Sequence, residues 1–375
     1  MDLLECRNKL DVIDKQIVKL FEERMDICGK VAETKIATGK AVYDAEREKQ
    51  KLEAVSAMAG SDFNQIAVRE LFSQMMSISR KYQYSILAEH GRSAKLGFEQ
   101  LDRLPVEGVR VVHQGVEGAY SHAAAIQYFG RDAEIYHVAR FEDAMKEVQL
   151  GNADYAVMPI ENSSAGAVID MYDLLTRYDN YIVAETFLPV NHALLGVPGA
   201  RLADVKTVFS HPQALMQCGR YLESHREWEK HSLKNTAMAA KKVKEDGKKH
   251  KAAIASSLTA DIYGLKVLDE CIQDNKMNAT RFIIVSGKRV FTSKAEKISI
   301  CFEGMHESGS LYHMLSHFIY NGINMNHIES RPVQGKNWEY RFFVDFEGNL
   351  NDAAVQNALR GLTEETLGLK ILGNY

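Results

Sequence analysis

Three basic side chains interrupt an apolar stripe near the start of the sequence. Over residues 2–37 the apolar positions recur in steps of three, four or seven, the spacing of one face of an α-helix. This apolar stripe is formed by Leu3, Leu10, Ile13, Ile17, Leu20, Ile27 and Val31. Arg7, Arg24 and Lys35 fall on the same face, where a cation is costly unless it snorkels outward or meets an anion. Because three cations share the stripe, the pattern predicts an anion-binding pocket between helices.

The spacing of these cations also predicts a dimer. Arg24 and Lys35 are 11 residues apart, which is about 16 Å along a helix and returns to nearly the same face. Long side chains at that separation can converge on the two ends of a small dianion. Arg7 lies about 25 Å from Arg24 on a straight helix, too far to join the same pocket. If Arg7 takes part, it comes from a second copy of the chain.

A second group of charged residues follows a break in the helical pattern at 37–42. The sequence after the break predicts another helix with Asp44 near its start. Asp44, Arg47 and Glu48 stand at positions i, i+3 and i+4, so they share one face of that helix. Two carboxylates and a guanidinium are therefore predicted to point in one direction.

A third helix is predicted over residues 63–84. Its core stripe runs through Phe72 and Met76 and continues in two polar residues, Ser79 and Gln83. Polar groups on a buried face can hydrogen-bond a ligand, although polar residues are also common where a helix loses burial toward its end. The periodicity alone leaves both interpretations open.

In residue type and spacing, residues 1–84 resemble the all-helical chorismate mutases. The resemblance implies that the catalytic residues are Arg7 from the partner chain, Arg24, Lys35, Asp44, Arg47, Glu48, Ser79 and Gln83. It implies that the cations bind the two carboxylates and the ether oxygen of chorismate, the latter through Lys35 with Gln83. Asp44 and Glu48 would address the ring hydroxyl. Such a pericyclic rearrangement needs a held conformer and well-placed charge, and neither a nucleophile nor a cofactor.

Composition limits the class of protein. The 375 residues allow two or three domains, and the net charge of -4 gives no reason to expect nucleic acid. A basic run at 241–251 is predicted to be a solvated helix face and turn. The start lacks the features of a signal peptide, and no apolar run is long enough to span a bilayer. Five scattered cysteines fit reduced thiols in a cytoplasmic protein, with neither disulfides nor a zinc site.

The middle of the chain alternates short β-rich runs with helical stretches. The runs are 109–113, 155–160, 181–185, 207–210, 252–256 and 282–286. Strands separated by helices predict an α/β module with a mainly parallel sheet, whose ligands bind beyond the carboxyl ends of the strands. Polar turns, two of which contain glycine, follow or precede these runs: GVEGAYS at 115–121, PIENSSAG at 159–166, SHPQ at 210–213, NT at 235–236 and NATRF at 278–282. Together they predict a cleft between two lobes, suited to a carboxylate ligand.

This set of motifs resembles the prephenate dehydratases, whose two-lobed module is periplasmic-binding-protein-like. The resemblance implies that Thr280 assists departure of the ring hydroxyl and that Arg281 anchors a carboxylate. The further substrate-binding residues that it implies are Ser121, Glu161, Asn162, Ser163, His211, Gln213, Asn235, Thr236 and Phe282. Aromatisation drives loss of CO₂ and water, so no cofactor is required, but a departing hydroxide needs a proton or strong hydrogen bonds. Thr280 is too weak an acid to give up its proton unaided. It therefore acts as a hydrogen-bond donor or as one link in a relay, for which Glu161 and His211 are both candidates.

The last part of the sequence predicts a small α+β module. The order is strand 297–303, helix 308–321, strand 324–333, strand 340–346, helix 351–367 and strand 369–372, a ferredoxin-like βαββαβ layout. His313 and His317 have a spacing that zinc can use. Without a third ligand, the sequence favours a solvated helix face and no metal.

This layout, with GSLY at 309–312 and ESRP at 329–332, resembles the ACT regulatory domain fused to prephenate dehydratases. The resemblance implies that phenylalanine binds between two paired ACT domains. The effector-binding residues would be Leu311, Asn324, Met325, Glu329, Ser330 and Arg331. Phenylalanine would inhibit by favouring a conformation whose dehydratase cleft handles prephenate poorly.

The whole chain therefore resembles the bifunctional chorismate mutase–prephenate dehydratases. The expected division is a mutase at 1–84, a linker at 85–107, a dehydratase at 108–287 and an ACT domain at 295–375. We expect a cytoplasmic homodimer or higher oligomer that makes phenylpyruvate from chorismate in phenylalanine biosynthesis. The alternative is an amino-acid sensor or binding protein whose N-terminal helices serve only to dimerise.

Overall fold

A computed structural model describes residues 2–90, 96–304, 309–333, 335–336 and 339–375. The chain forms two compact units, each made of two separate segments. Unit 1 comprises Met1–Gly97 and Glu296–Ile371, and unit 2 comprises Phe98–Ala295 and Leu372–Tyr375. Among the described residues, no helix is both long and apolar enough to cross a bilayer.

Three helices begin unit 1, as the sequence predicts: α1 (Leu3–Thr38), α2 (Ala45–Ser56) and α3 (Asp62–Glu89). Their ends have clear local causes. The Asp2 side chain accepts the backbone N–H of Glu5 (2.8 Å) at the start of α1, and Gly39 stops that helix in the left-handed region with φ 71°. Asp44 caps α2 by accepting the backbone N–H of Arg47 (3.0 Å).

The apolar stripe of α1 is largely uncovered within the chain. Its residues are between 40% and 68% exposed, and Ala32 is the buried residue of this helix. A small core forms where the end of α1 meets α3, and it contains Ala32, Val42, Tyr84 and Leu87. The rest of the stripe presents a long apolar face to solvent.

The stretch predicted as a linker, 85–107, contains parts of two elements. Helix α3 continues to Glu89 because Leu87 follows Gln83 by four residues and extends the buried face. Strand β1 (Glu99–Leu101) begins unit 2 and pairs with a later strand of the same unit. The predicted linker therefore overlaps the last turn of α3 and strand β1.

Unit 2 contains two β-sheets with helices between their strands. After β1 its strands are β2 (Arg110–Gln114), β3 (Glu134–Val138), β4 (Tyr155–Asn162), β5 (Gly166–Ala167), β6 (Tyr181–Pro189), β7 (Ala193–Gly196), β8 (Thr207–Ser210), β9 (Glu229–Ser232), β10 (Lys251–Ala255), β11 (Lys266–Asp269), β12 (Ala279–Ser286) and β13 (Val290–Thr292). Its α-helices are α4 (Tyr120–Phe129), α5 (Phe141–Gln149), α6 (Ile169–Arg177), α7 (Pro212–Gln217), α8 (Gly219–Glu223), α9 (Thr236–Asp246) and α10 (Ser257–Tyr263). One sheet has the order β6-β12-β4-β2-β3, and the other has the order β11-β7-β10-β8-β9.

Both sheets of unit 2 are mixed, which corrects the expectation of mainly parallel sheets. In the first sheet, β12 is antiparallel to both neighbours, β4 and β6. The chain leaves this sheet at Pro189 and returns beside it, since Ala279 pairs with Pro189. A strand that re-enters where its neighbour leaves must run in the opposite direction. In the second sheet, β7 is likewise antiparallel to β10 and β11.

The C-terminal part of unit 1 has the predicted βαββαβ order. Its elements are β14 (Lys297–Glu303), α11 (Ser310–Tyr320), β15 (Met325–Pro332), β16 (Tyr340–Glu347), α12 (Ala353–Glu365) and β17 (Leu367–Asn374). The strands follow the order β15-β16-β14-β17, so β15 is an edge strand, and the end of β17 belongs to unit 2. The predicted helix start at residue 308 lies outside the described residues.

Helices α11 and α12 pack closely, and this corrects the expectation of a solvated histidine pair. His317 is fully buried, while His313 is half-buried. A Cβ atom on Gly361 of α12 would lie 2.3 Å from the His317 ring, so only glycine permits this approach. His317 can lie on the buried face of α11 because Glu365 of the facing helix α12 approaches its ring.

Candidate active sites

The helical site brings Arg24 of α1 against α3. The Arg24 guanidinium donates hydrogen bonds to Ser79 Oγ and to the carbonyl of Met75 (3.3 Å). Ser79 and Gln83 are both buried, and Gln83 Nε2 donates to the Ser79 carbonyl (3.2 Å). Gln83 Oε1 is buried without a hydrogen-bond partner among the described residues, so a polar group of a ligand has an open position there.

Lys35 lies at the other end of this site. Its ammonium donates to the carbonyl of Val42 (2.6 Å). Burial lowers the pKa of Lys35, and the carboxylates of Asp44, Glu364 and Glu48 partly offset this effect. The second group of the site is therefore a half-buried cation facing carboxylates from α2 and α12.

The other predicted residues of the helical module differ in their surroundings. Asp44 is the N-cap of α2, so its carboxylate has a structural role in this chain. Arg47 is exposed, and Glu48 is bound by Arg80 of α3. Arg7 is exposed and lies on the same continuous helix as Arg24, about 25 Å away. Sequence reasoning missed Arg80, whose only signal was its place directly after Ser79.

The site in unit 2 forms where β4 ends and β12 begins. Because these strands are antiparallel, Thr280 pairs with Asn162, and two motifs far apart in sequence become neighbours. Asn162 Nδ2 donates to Thr280 Oγ1 (2.9 Å) and to Asn278 Oδ1 (2.9 Å). The sequence pointed to both motifs but did not predict that their side chains touch.

The backbone fixes the orientation of the Asn162 amide. Asn162 Oδ1 accepts the backbone N–H groups of Ser164 (3.0 Å) and Ala165 (2.9 Å), so the NH₂ group must be the end that faces Thr280. Thr280 Oγ1 is thus an acceptor toward Asn162. The hydroxyl proton of Thr280 is left for a different acceptor.

Asn278 supports this turn and was not among the predicted residues. It is 2% exposed, and its Oδ1 also lies 3.4 Å from Ser163 Oγ, which donates to it. Ser163 Oγ in turn accepts the backbone N–H of Ala279 (3.0 Å). The only signal for Asn278 was its place at the start of the NATRF motif.

Arg281 follows Thr280 on β12 and is surrounded by anionic and polar groups of unit 2. Arg281 Nε donates to Glu185 Oε2 (2.7 Å), and Nη2 donates to Tyr375 Oη (2.8 Å). Its Nη1 lies 4.0 Å from Glu161 Oε2. Sequence reasoning missed Glu185 and Tyr375. The next residue, Phe282, lies in the hydrophobic core of this sheet.

The remaining predicted residues lie at helix starts. Ser121 is the second residue of α4 and is buried. His211 Nδ1 accepts the backbone N–H of Gln213 (3.2 Å) at the start of α7, and burial lowers the pKa of His211. Asn235 caps α9 by accepting a backbone N–H of its first turn (2.7 Å), and Thr236 is the first residue of that helix. The hydrogen bonds of His211 and Asn235 are local to their helix starts, and the relay role of Glu161 or His211 stays a prediction.

The glycine-containing loop before α4 is held by α10. Thr259 Oγ1 donates to the Gly118 carbonyl (3.0 Å), and Tyr263 Oη donates to the Glu117 carbonyl (3.0 Å). Gly118 has φ 81°, and a Cβ atom there would lie 3.3 Å from the Thr259 side chain. Glycine is therefore needed for both the conformation and the close approach.

The predicted effector residues lie on α11 and at the edge of the C-terminal sheet. Leu311 is in the first turn of α11, and Met325 and residues 329–331 lie on the edge strand β15. Asn324 Nδ2 donates to Glu347 Oε1 (2.9 Å). Along β15, half-buried and exposed side chains alternate, as expected for a strand with one face on a core.

Comparison with known proteins gives this arrangement a family. The chain pairs a helical module that matches the family model "Chorismate mutase type II" over residues 6–84 with an α/β module that matches "Prephenate dehydratase" over residues 111–290. It is thus a two-module enzyme of aromatic metabolism. It is 32% identical to the bifunctional chorismate mutase/prephenate dehydratase of Escherichia coli K12, with 100% of this chain and 96% of that protein covered. The chain belongs to the family of bifunctional chorismate mutase/prephenate dehydratases.

Two further relatives each match a large part of the chain. The chloroplastic arogenate dehydratase/prephenate dehydratase 1 of Arabidopsis thaliana is 42% identical over 71% of this chain and 72% of that protein. The crystal structure of a prephenate dehydratase from Arthrobacter aurescens in complex with L-Phe matches with a TM-score of 0.67 and 32% identity, covering 71% of this chain and 89% of that one. The predictions of chorismate mutase and prephenate dehydratase activity are confirmed.

Proposed function

We propose that the two sites described above carry the two reactions, from chorismate to prephenate on α1–α3 and from prephenate to phenylpyruvate at the β4–β12 junction. The hydrogen bond from Asn162 to Thr280 is the observation that carries the second assignment. We retain the domain division of a mutase at 1–84, a linker, a dehydratase at 108–287 and an ACT domain at 295–375. The cytoplasmic location remains part of the proposal.

In the mutase site, the side chains act by binding chorismate in its reactive conformer and by placing positive charge beside the bond that breaks. Arg24 and Lys35 bind the carboxylates and the ether oxygen of chorismate, with Arg47 as a further cation and Gln83 as an additional polar contact. As the C–O bond breaks, negative charge grows on the ether oxygen, where a cation lowers the barrier. The rearrangement moves electrons within one molecule, so the residues hold a conformer and transfer no proton.

The site requires a second copy of the chain. The apolar stripe of α1 is exposed within one chain, and an apolar face of this length is typical of a surface that a second copy covers. In such a dimer Arg7 of one chain reaches the pocket formed by Arg24 and Lys35 of the other. The two sites of a dimer would then each contain residues of both chains.

In the dehydratase site, Thr280 donates a hydrogen bond to the leaving hydroxyl and is one link in a proton relay. The proton that it passes to the departing oxygen is replaced from solvent through Glu161 or His211. The bond from the ring to its carboxylate breaks and releases CO₂, its electrons move into the ring, and the ring C–O bond breaks. The departing oxygen takes a proton and leaves as water. Because Asn162 donates to Thr280 Oγ1, the threonine proton points away from Asn162 and is available for this step. Arg281 anchors the side-chain carboxylate, with its orientation set by Glu185 and Tyr375.

The C-terminal βαββαβ module is proposed to be an ACT domain that binds phenylalanine. Support comes from its strand order and from the Arthrobacter relative, whose structure holds L-Phe. Strand β15 lies at the edge of the sheet, the position at which a strand of a second module can be added. Phenylalanine then inhibits by stabilising the conformation in which it binds best.

One experiment tests the proposal. Purified wild type and Thr280→Ala are each given chorismate or prephenate, and phenylpyruvate is measured with and without added phenylalanine. In a separate assay without added phenylalanine, each protein is given arogenate, and phenylalanine is measured as the product. We expect wild type to make phenylpyruvate and Thr280→Ala to accumulate prephenate. Unchanged phenylpyruvate formation by Thr280→Ala would contradict the role of Thr280. A preference for arogenate would reassign the substrate of the second site.

A further inference from the structure

A buried cation links the mutase site to the C-terminal module inside unit 1. Arg80 of α3 is 7% exposed. Its Nε donates to Glu365 Oε1 of α12 (2.7 Å), and its Nη1 donates to Glu48 Oε2 of α2. A planar guanidinium with two carboxylates on different nitrogens holds both in fixed directions. The position of Glu48 therefore depends on Arg80, which is not among the predicted mutase residues.

Glu365 is itself held from the other side. His317 Nε2 of α11 lies 3.1 Å from Glu365 Oε2. Burial would raise the pKa of Glu365, but His317 and Arg80 outweigh this effect and hold the pKa at about 2. Glu365 is therefore ionised throughout the physiological range and supplies a permanent negative charge to Arg80.

The neighbouring residues show that α12 contacts the mutase helices along an extended surface. Glu364 Oε2 accepts from Tyr84 Oη (2.7 Å) and from the backbone N–H of Tyr43 (3.0 Å). Lys81 Nζ donates to Ser316 Oγ of α11 (2.7 Å). Arg80 is thus one member of a buried polar layer, so its orientation is fixed by several elements at once.

We propose that Arg80 is a positioning residue of the mutase site, which holds the Glu48 carboxylate toward the pocket and depends on Glu365 of the C-terminal module for its own orientation. Arg80 is engaged by two carboxylates and reaches the substrate only through Glu48. Without Glu365, Arg80 loses one of its two anions, and Glu48 loses a fixed partner. The inference rests on the proposed role of Glu48 in the mutase reaction.

The test uses the complete chain and its two activities. For Arg80→Gln and Glu365→Gln, we expect mutase kcat to fall about ten- to a hundredfold, as for loss of a hydrogen bond to a charged group. Dehydratase kcat with prephenate, measured on the same samples, reports the folding of unit 2, and far-ultraviolet circular dichroism reports the helices of unit 1. Arg69→Gln and Glu70→Gln are matched controls, because both residues are exposed on α3. Arg80→Lys, which keeps the charge, replaces Arg80→Gln if that variant fails to fold.

The decisive readout is the combination of variants. If Arg80 and Glu365 act through Glu48, then adding Glu365→Gln to Glu48→Gln lowers mutase kcat no further. Multiplied losses in the double variant would overturn the inference, since they indicate a general structural role. If Glu48→Gln lowers kcat while Arg80→Gln and Glu365→Gln do not, the inference fails and the role of Glu48 stands. If Glu48→Gln has wild-type kcat, the proposed role of Glu48 fails, and the inference fails with it.

Discussion

The Asn162 amide shows how one side chain can set the direction of a proton. Its oxygen is occupied by two backbone N–H groups, so only its NH₂ group can face Thr280. An amide and a carboxylate have nearly the same shape, but a carboxylate only accepts hydrogen bonds. The difference between donor and acceptor at this position can therefore be tested without changing the packing.

We predict that Asn162→Asp lowers dehydratase kcat by about a hundredfold, the size typical of a lost proton donor. The new carboxylate would keep the two backbone hydrogen bonds and would accept the Thr280 proton, which is then no longer available to the leaving hydroxyl. Stopped assays with prephenate measure the effect, and mutase turnover of the same sample serves as an internal reference. Asn152→Asp, at an exposed position of unit 2, is the matched control. Normal turnover by Asn162→Asp would rule out Thr280 as the donor.

Tyr375 makes a second residue-scale prediction possible. Its hydroxyl accepts from Arg281 Nη2, so Tyr375→Phe removes a hydrogen bond that orients the guanidinium proposed to anchor the substrate. We expect KM for prephenate to rise by about tenfold, as for loss of one hydrogen bond to a charged group, with a smaller change in kcat. Tyr340→Phe, on an exposed position of β16, is the control. A change confined to kcat would show that Arg281 acts on the reacting bonds and not on binding.

At the scale of elements, α1 is the helix with the most unusual environment. It is 36 residues long and carries an apolar stripe that the chain itself does not cover. Helical propensity and caps explain why it forms, but tertiary packing normally supplies most of the stability of such a helix. A second copy of α1 provides that packing in the proposed dimer.

Mixing two inactive variants tests this arrangement. Arg7→Ala and Arg24→Ala each disable both mutase sites of a homodimer. In a mixed dimer one site has an intact Arg7 from one chain and an intact Arg24 from the other. Random mixing after unfolding and refolding should therefore restore about a quarter of wild-type mutase activity, because half of the dimers have one intact site of two. No recovery, with dimers shown by sedimentation, would place Arg7 outside the partner's pocket.

The helices and strands were easier to predict from the sequence than the contacts between them. Strand β8 and strand β14 have the predicted bounds, because alternation and turn residues are local signals. The direction of β12 was not predictable, since it depends on where the chain returns after visiting the second sheet. The same limit explains why Asn162 and Thr280 were predicted separately while their contact was not. Arg80 and Glu365 are 285 positions apart, and no local pattern pairs them.

At the scale of the whole molecule, the buried layer in unit 1 links stability to pH. The pKa of Glu365 is about 2 in the folded chain and 4.5 when unperturbed. Because the folded pKa is the lower one, this carboxylate adds stability above the unfolded value and loses that contribution as pH falls toward 2. Its contribution is therefore complete near neutral pH.

We predict that the stability difference between wild type and Glu365→Gln shrinks as pH falls from 4.5 toward 2. Denaturant unfolding at a series of pH values measures it. Taking the difference cancels other groups with shifted pKa values, such as His113, whose pKa burial lowers to about 4. A difference that stays constant over this range would mean that Glu365 is not stabilised as an anion by Arg80 and His317.

The division of unit 1 into two distant segments has a consequence for synthesis on the ribosome. Helices α1–α3 emerge first, and residues 98–295 must be translated before the segment that carries α11 and α12 follows. At the usual rates of translation this interval lasts about 10–40 s. During this interval the partners that α11 and α12 supply to Arg80, Lys81 and Tyr84 have not yet been synthesised, while the apolar stripe of α1 is already accessible. In the proposed dimer, nascent chains on one messenger would therefore join through α1 before either chain has completed its own first unit.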